Sequence, residues 1–233
     1  MATSEAVEDQ AGLLEEVHES REAGIVVLAV ITSQAVVAIL SLWQGWMLWV
    51  LPGSVWIVLI VPEFVLGLTY TLGRPGGMIE QLGIRREVGL AMITVVVLAD
   101  AGLVVALLAS LVTTNQAGLE LLIKGLTVWL SNVVAFGLAF WTLDQGGPVR
   151  RIKGPAPLPE FLFPQTGSPA LAPGGWRPHL VDYLYVAFTN AIAFSPTDTL
   201  PLSHRMKVLM FVEASMSAAT VLLVVARAVN VFR

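Results

Sequence analysis

Apolar residues run along this chain in long blocks, not with the period of an amphipathic helix or a strand. Five blocks, at about residues 24–43, 55–72, 88–112, 121–143 and 201–232, approach or exceed the length that crosses a bilayer, roughly 18–20 residues. Each predicts a transmembrane helix. A sixth, residues 180–192, is too short to cross. It breaks at Ser195 and Pro196, turns through Thr197 and Asp198, and reaches Pro201, which suits the first turn of a new helix. A half-length helix, a polar tip and a full span predict a re-entrant loop. Non-helical backbone at membrane depth persists only where it is buried in protein or lines a water-filled cavity. The expected fold class is therefore an all-α membrane protein, with five transmembrane helices plus one re-entrant pore half-helix.

Polar residues that interrupt the blocks are the next signal. Gln34, Glu63, Asp100 and Asn132 each sit near the middle of one of the first four spans. Ionised and unpaired, a mid-membrane carboxylate costs at least a few kcal/mol, so such residues face the bundle interior. Two readings follow. Glu63 and Asp100 belong to a proton or cation pathway, or the group is protonated or amide-paired glue between helices. In the last span Glu213, Ser215, Ser217 and Thr220 either line an inner cavity or satisfy helix contacts.

Between the blocks, Trp43, Trp46, Trp49 and Trp56 flank the turn at Pro52 and Gly53, as in the aromatic belt of a membrane interface. Arg74, Arg85 and Arg86 make the next connection basic. Residues 144–179 form a long loop rich in Pro and Gly, with Phe161, Phe163 and Trp176 expected to pack at the membrane face near the re-entrant loop.

Composition agrees with the block pattern: 56% of residues are hydrophobic and 13% charged, against about 25% charged in soluble domains. The net charge of −4 is concentrated in an acidic N-terminal tail, residues 1–22, carrying Glu5, Glu8, Asp9, Glu15, Glu16, Glu19 and Glu22. A secretory signal would begin basic, so none is expected. No cysteine is present, which excludes disulfides, thiolate metal sites and cysteine nucleophiles. His18, His179 and His204 are dispersed without metal-ligand spacing. The expectations are no catalytic activity, no metal, no cofactor and no nucleic-acid partner.

Asp198 and Pro201 hold an Asp-x-x-Pro spacing after a helix-forming stretch, Leu184 to Ile192, and before a long final span. This layout resembles the pore module of the potassium-channel superfamily over roughly the last 50 residues. The resemblance implies an outer helix at 121–143, a turret-like loop at 144–179, a pore helix at 180–192, a filter-like loop at 193–198 and an inner helix at 201–232. Together these make residues 118–233 a channel-like pore module after a three-helix membrane region at 23–117. Where that family carries Thr-Val-Gly-Tyr-Gly-Asp, this chain has Ala193, Phe194, Ser195, Pro196, Thr197 and Asp198. Glycines in such a filter reach φ values closed to most residues, and Pro196 biases Ser195 toward extended backbone. No potassium-type ladder of carbonyls is expected, and side-chain oxygens of Ser195, Thr197 and Asp198 would line the narrowest part. Thr189 and Asn190 close the pore helix, either as caps or as cavity-lining groups. Asp198 either attracts cations at the mouth or caps the following turn. The resemblance implies a homotetramer in the cell membrane that passes an ion, a cation by preference. A non-conducting scaffold with the same fold is the alternative. Sidedness is contested: basic loops place 74–86 and 150–153 in the cytoplasm, whereas the resemblance places 144–179 outside.

Overall fold

The computed structural model describes residues 2–72, 85–113, 118–153, 157–195 and 198–231. The first helix, α1, runs unbroken over Ala2–Gln44. The acidic stretch expected as a separate tail is thus helical and continuous with the first apolar block. It contains no Pro and is rich in Ala, Glu and Leu, which are strong helix formers. The helix stops where Gly45 takes φ 70°, while the Trp46 N–H donates to the Ser41 carbonyl at 2.9 Å. That is a Schellman ending, which a residue without Cβ adopts most cheaply. Leu48 and Leu51 then exchange backbone hydrogen bonds, and α2 (Val55–Leu72) turns back along α1.

The remaining long helices are α3 (Arg85–Thr113), α4 (Gly118–Leu143), α7 (Leu180–Ala193) and α8 (His204–Val231). Between α4 and α7 lie two short helices, α5 (Pro148–Lys153) and α6 (Pro164–Gly167), and a two-residue strand, β1 (Phe161–Leu162). Among the described residues, three segments are long and apolar enough to cross a membrane: Arg21–Gln44, Glu87–Ser110 and Gly118–Gly146. The apolar parts of α2 and α7, Val55–Leu68 and Leu180–Ala193, are shorter.

The core is centred on α4. From Ser131 to Thr142 every one of its residues is buried, and it touches α1, α3, α7 and α8. A helix apolar on all sides belongs inside a bundle. The segment expected as an outer helix is therefore the innermost one of the protomer. Gly137 permits a close approach to α7: a Cβ there would lie 2.7 Å from Leu184 Cδ2 and 3.2 Å from Leu184 Cα.

Polar contacts define the two ends of the bundle. At one, the turn end, the Trp49 N–H donates to Ser110 Oγ at 2.6 Å, and buried Lys124 donates to the Met47 carbonyl at 2.8 Å and pairs with Glu120. Trp43 is exposed there, but Trp56 is fully buried in the core. The four tryptophans therefore do not form one interfacial belt, because the tight turn folds the start of α2 inward. At the other, the loop end, Glu19 of α1 lies 3.2 Å from His179, and the Arg205 guanidinium bonds the Leu143 carbonyl and Glu160. Phe161, Phe163, Trp176 and Tyr183 stack edge-on there into an aromatic cluster reaching Phe140 of α4. Tyr183 donates to Asp144 Oδ2 at 2.6 Å, and the Arg151 guanidinium sits 5.1 Å from its ring centre. Two of the loop aromatics, Phe161 and Phe163, are core residues, not surface packing.

Pro201 is not the first turn of the last helix. It lies in β2 (Leu200–Pro201), paired with β1 in the register Phe161 to Pro201 and Leu162 to Leu200. The helix begins at His204, where Ser203 Oγ accepts the Met206 N–H at 3.2 Å, as a serine N-cap does.

Candidate functional site

Four polar residues near the middles of four apolar segments meet at one place. The Gln34 amide nitrogen donates to Glu63 Oε1 at 2.7 Å, joining α1 to α2. Ser131 Oγ of α4 stands 3.2 Å from the same Glu63 oxygen and 2.9 Å from each oxygen of Asp100 on α3. All four side chains are buried. Beside them is a cavity of about 10 Å³, bounded by Glu63, Ser131, Val27, Val30, Ile93 and Val134. About 10–15 Å³ of such space is what one water needs.

The next residue of α4 opens a second cluster on another face of the helix. Asn132 Nδ2 donates to Ser217 Oγ at 2.8 Å and to the Glu213 carbonyl at 3.3 Å. Glu213 Oε2 accepts from Asn190 Nδ2 at 2.8 Å, and the same amide donates to the Met210 carbonyl at 2.8 Å. Ser131 and Asn132 are adjacent on one helix, so the two clusters share a level. A single polar layer, carrying the carboxyls of Glu63, Asp100 and Glu213, crosses six helices.

Seven of the sixteen residues that sequence singled out are in this layer: Gln34, Glu63, Asp100, Asn132, Asn190, Glu213 and Ser217. The others lie elsewhere. Thr189 turns back on its own helix, donating to the Tyr185 carbonyl at 2.9 Å, and Ser215 does the same to Phe211 at 2.7 Å on an exposed face. Thr220 is buried and donates to the Met216 carbonyl at 2.9 Å. The inner-helix quartet therefore splits: Glu213, Ser217 and Thr220 face inward at helical spacing, and Ser215 does not.

Ala193, Phe194, Ser195 and Asp198 are exposed, and Pro196 and Thr197 lie outside the described residues. Among the described residues of the filter-like loop, the left-handed position is Phe194, at φ 56°. Asp198 Oδ1 accepts from Thr199 Oγ1 at 3.4 Å. Ser131, at the centre of the arrangement, and buried Lys124, at the turn end, were not among the sequence candidates. A serine suits any helix face, so only its neighbours reveal it. A lysine seven residues before Ser131 on the same helix, with Glu120 one turn earlier, carried a readable ion-pair spacing.

Among the described residues no group of three or more His, Cys, Asp or Glu is placed to hold a metal. Chemically the layer offers oxygens and amides in an apolar surround, suited to binding protons, water or a small cation. No protein-family model, no curated protein and no solved structure matches this chain.

Proposed function

We propose that the chain is a multi-pass protein of the cell membrane, with five crossings and one re-entrant half-helix. In this reading it forms a channel-like cation pore as a homotetramer, built around residues 180–198. The observation that carries it is the path of α7. It starts at the loop end beside Glu19, reaches the polar layer at Asn190, reverses at Phe194 and is back at the loop end by Leu200, where β2 pairs with β1. Fourteen residues of α7 make about 20 Å of helix, short of the roughly 30 Å hydrocarbon core. The exposed side chains of its tip, Ile192, Phe194 and Ser195, would then meet lipid or other copies of the chain.

A second reading, a non-conducting scaffold, is favoured by a different observation. Asn190, Asn132, Glu213 and Ser217 bind one another inside the protomer and so are occupied as helix-to-helix contacts. Recordings from purified protein in planar bilayers decide between them. A pore predicts cation currents with weak discrimination between potassium and sodium, reduced by Asp198→Asn and altered by Ser195→Ala. Strong potassium selectivity would overturn the side-chain-lined filter, and currents indifferent to both substitutions would overturn the re-entrant pore.

A further inference from the structure

We infer that Glu63, Ser131 and Asp100 form a proton-binding site, in which two carboxyl groups share one proton through the serine hydroxyl. The site is separate from the pore proposed above and does not rest on it.

The first argument is a count of hydrogens. Ser131 Oγ is within hydrogen-bond distance of Asp100 Oδ1 and Oδ2, at 2.9 Å, and of Glu63 Oε1, at 3.2 Å. A hydroxyl carries one hydrogen and an ionised carboxylate carries none. With both carboxyls ionised, Ser131 donates to one of them and opposes its lone pairs to the other. Both contacts become hydrogen bonds only when one carboxyl holds a proton and donates it to the serine oxygen. Uptake is then simple to balance. A proton from water forms one O–H bond on a carboxyl oxygen, nothing else breaks, and the pair passes from two negative charges to one.

The second argument is independent of the first. Glu63 is 4% exposed, and its other oxygen, Oε2, has no hydrogen-bond partner. The cavity that Glu63 and Ser131 border, about 10 Å³, exposes only apolar lining, and an ionised oxygen without a donor is costly in such a place. Its further lining, Val27, Val30 and Val134, lies toward the loop end of α1 and α4.

The surroundings supply no fixed positive charge to replace the proton. Around the pair α1 presents Gln34, a neutral amide whose Oε1 is likewise unpartnered, and α4 presents Ser131. Lys124, seven residues earlier on α4, is committed to Glu120 and the Met47 carbonyl. Glu213, at the other face of α4, is held by Asn190. Among the described residues no ion pair reaches Glu63 or Asp100. Two buried like charges without a counter-ion are costly, and a bound proton removes one of them.

The test is infrared difference spectroscopy on purified protein in lipid, wild type against Glu63→Gln and against Asp100→Asn. A carboxylic-acid C=O band, shifting in deuterated water and titrating with bulk pH, is expected at neutral pH and is expected to be missing in both variants. Loss of only ionised-carboxylate bands, or an acid band unchanged in both variants, would overturn the site. Displacement of the wild-type acid band by sodium at constant pH would also overturn it, in favour of a metal cation. Should a variant fail to fold, Glu213→Gln answers the same question: the band is expected to persist in it, and loss of the titrating acid band there, or its absence from the wild type, sinks the proposal. None of these readings needs a current, so they stand or fall apart from the bilayer recordings.

Discussion

At the scale of single residues, the asymmetry of buried hydrogen bonds makes Asn190 the most informative side chain. Its amide serves both the Met210 carbonyl and Glu213 Oε2. Replacing it by leucine keeps the volume and removes the donor, leaving a carboxyl buried without that partner. Such orphaning costs about 1–3 kcal/mol in water-soluble folds, while interhelical bonds in bilayers average about 0.6 kcal/mol. We expect Asn190→Leu to lower unfolding stability in detergent by about 1–2 kcal/mol, between those limits. Adding Glu213→Leu should recover much of the loss, because removing both partners leaves nothing unsatisfied. A double variant as unstable as the two losses summed would show that the pair does not interact. The same asymmetry explains what was legible beforehand. Gln34, Glu63, Asp100 and Asn132 stand out because a strongly polar residue inside an apolar run demands a partner. Ser131 demands none, since its hydroxyl can bond its own helix, as Thr189 and Ser215 do. Its role depends on which faces of α2 and α3 are turned toward it, and no local pattern encodes that.

At the scale of elements, one close approach sets how α7 packs on α4, and a short strand pair ties down the segment that follows it. Gly137 of α4 lies against Leu184 of α7, so a side chain there must displace backbone as well as a flexible tip. Gly137→Val should cost about 1–3 kcal/mol through overpacking. It should also raise hydrogen exchange across residues 180–193 while leaving α1 and α2 protected; uniform loss of protection would place the fault in the whole bundle. The existence of α7 and its near boundaries were legible from an apolar run cut off by Ser195 and Pro196. Its anchorage was not. The pairing of Leu200 and Pro201 with Phe161 and Leu162 joins segments about 40 residues apart in a loop without strand periodicity. The helical continuation of α1 back to Ala2 was equally hidden, since a polar helix carries no apolar stripe.

At the scale of the whole molecule, the absence of cysteine gives a clean experiment, because each introduced thiol is unique. The contacts of Glu19 with His179 and of Arg205 with Leu143 put the start of the first apolar segment, the 144–179 loop and the start of α8 at one end. Trp49 with Ser110 and Met47 with Lys124 put the first turn at the other. If α7 dips and returns, position 202, past the tip, belongs with the loop end although a 14-residue helix precedes it. Ser168, Leu202 and Ser54 are all exposed, so each tolerates conversion to cysteine. In oriented vesicles, a membrane-impermeant maleimide added on one side should label Ser168→Cys and Leu202→Cys together, and Ser54→Cys only from the opposite side. Whether the loop end faces the cytoplasm, as its basic residues argue, or the exterior, as the channel resemblance argues, follows from which pair reacts in intact cells. Labelling of Leu202→Cys together with Ser54→Cys would mean that α7 crosses outright. The pore proposal would fall with that result. The proton site would be untouched by it, because Glu63, Ser131 and Asp100 lie on α2, α4 and α3 and contact one another, not α7.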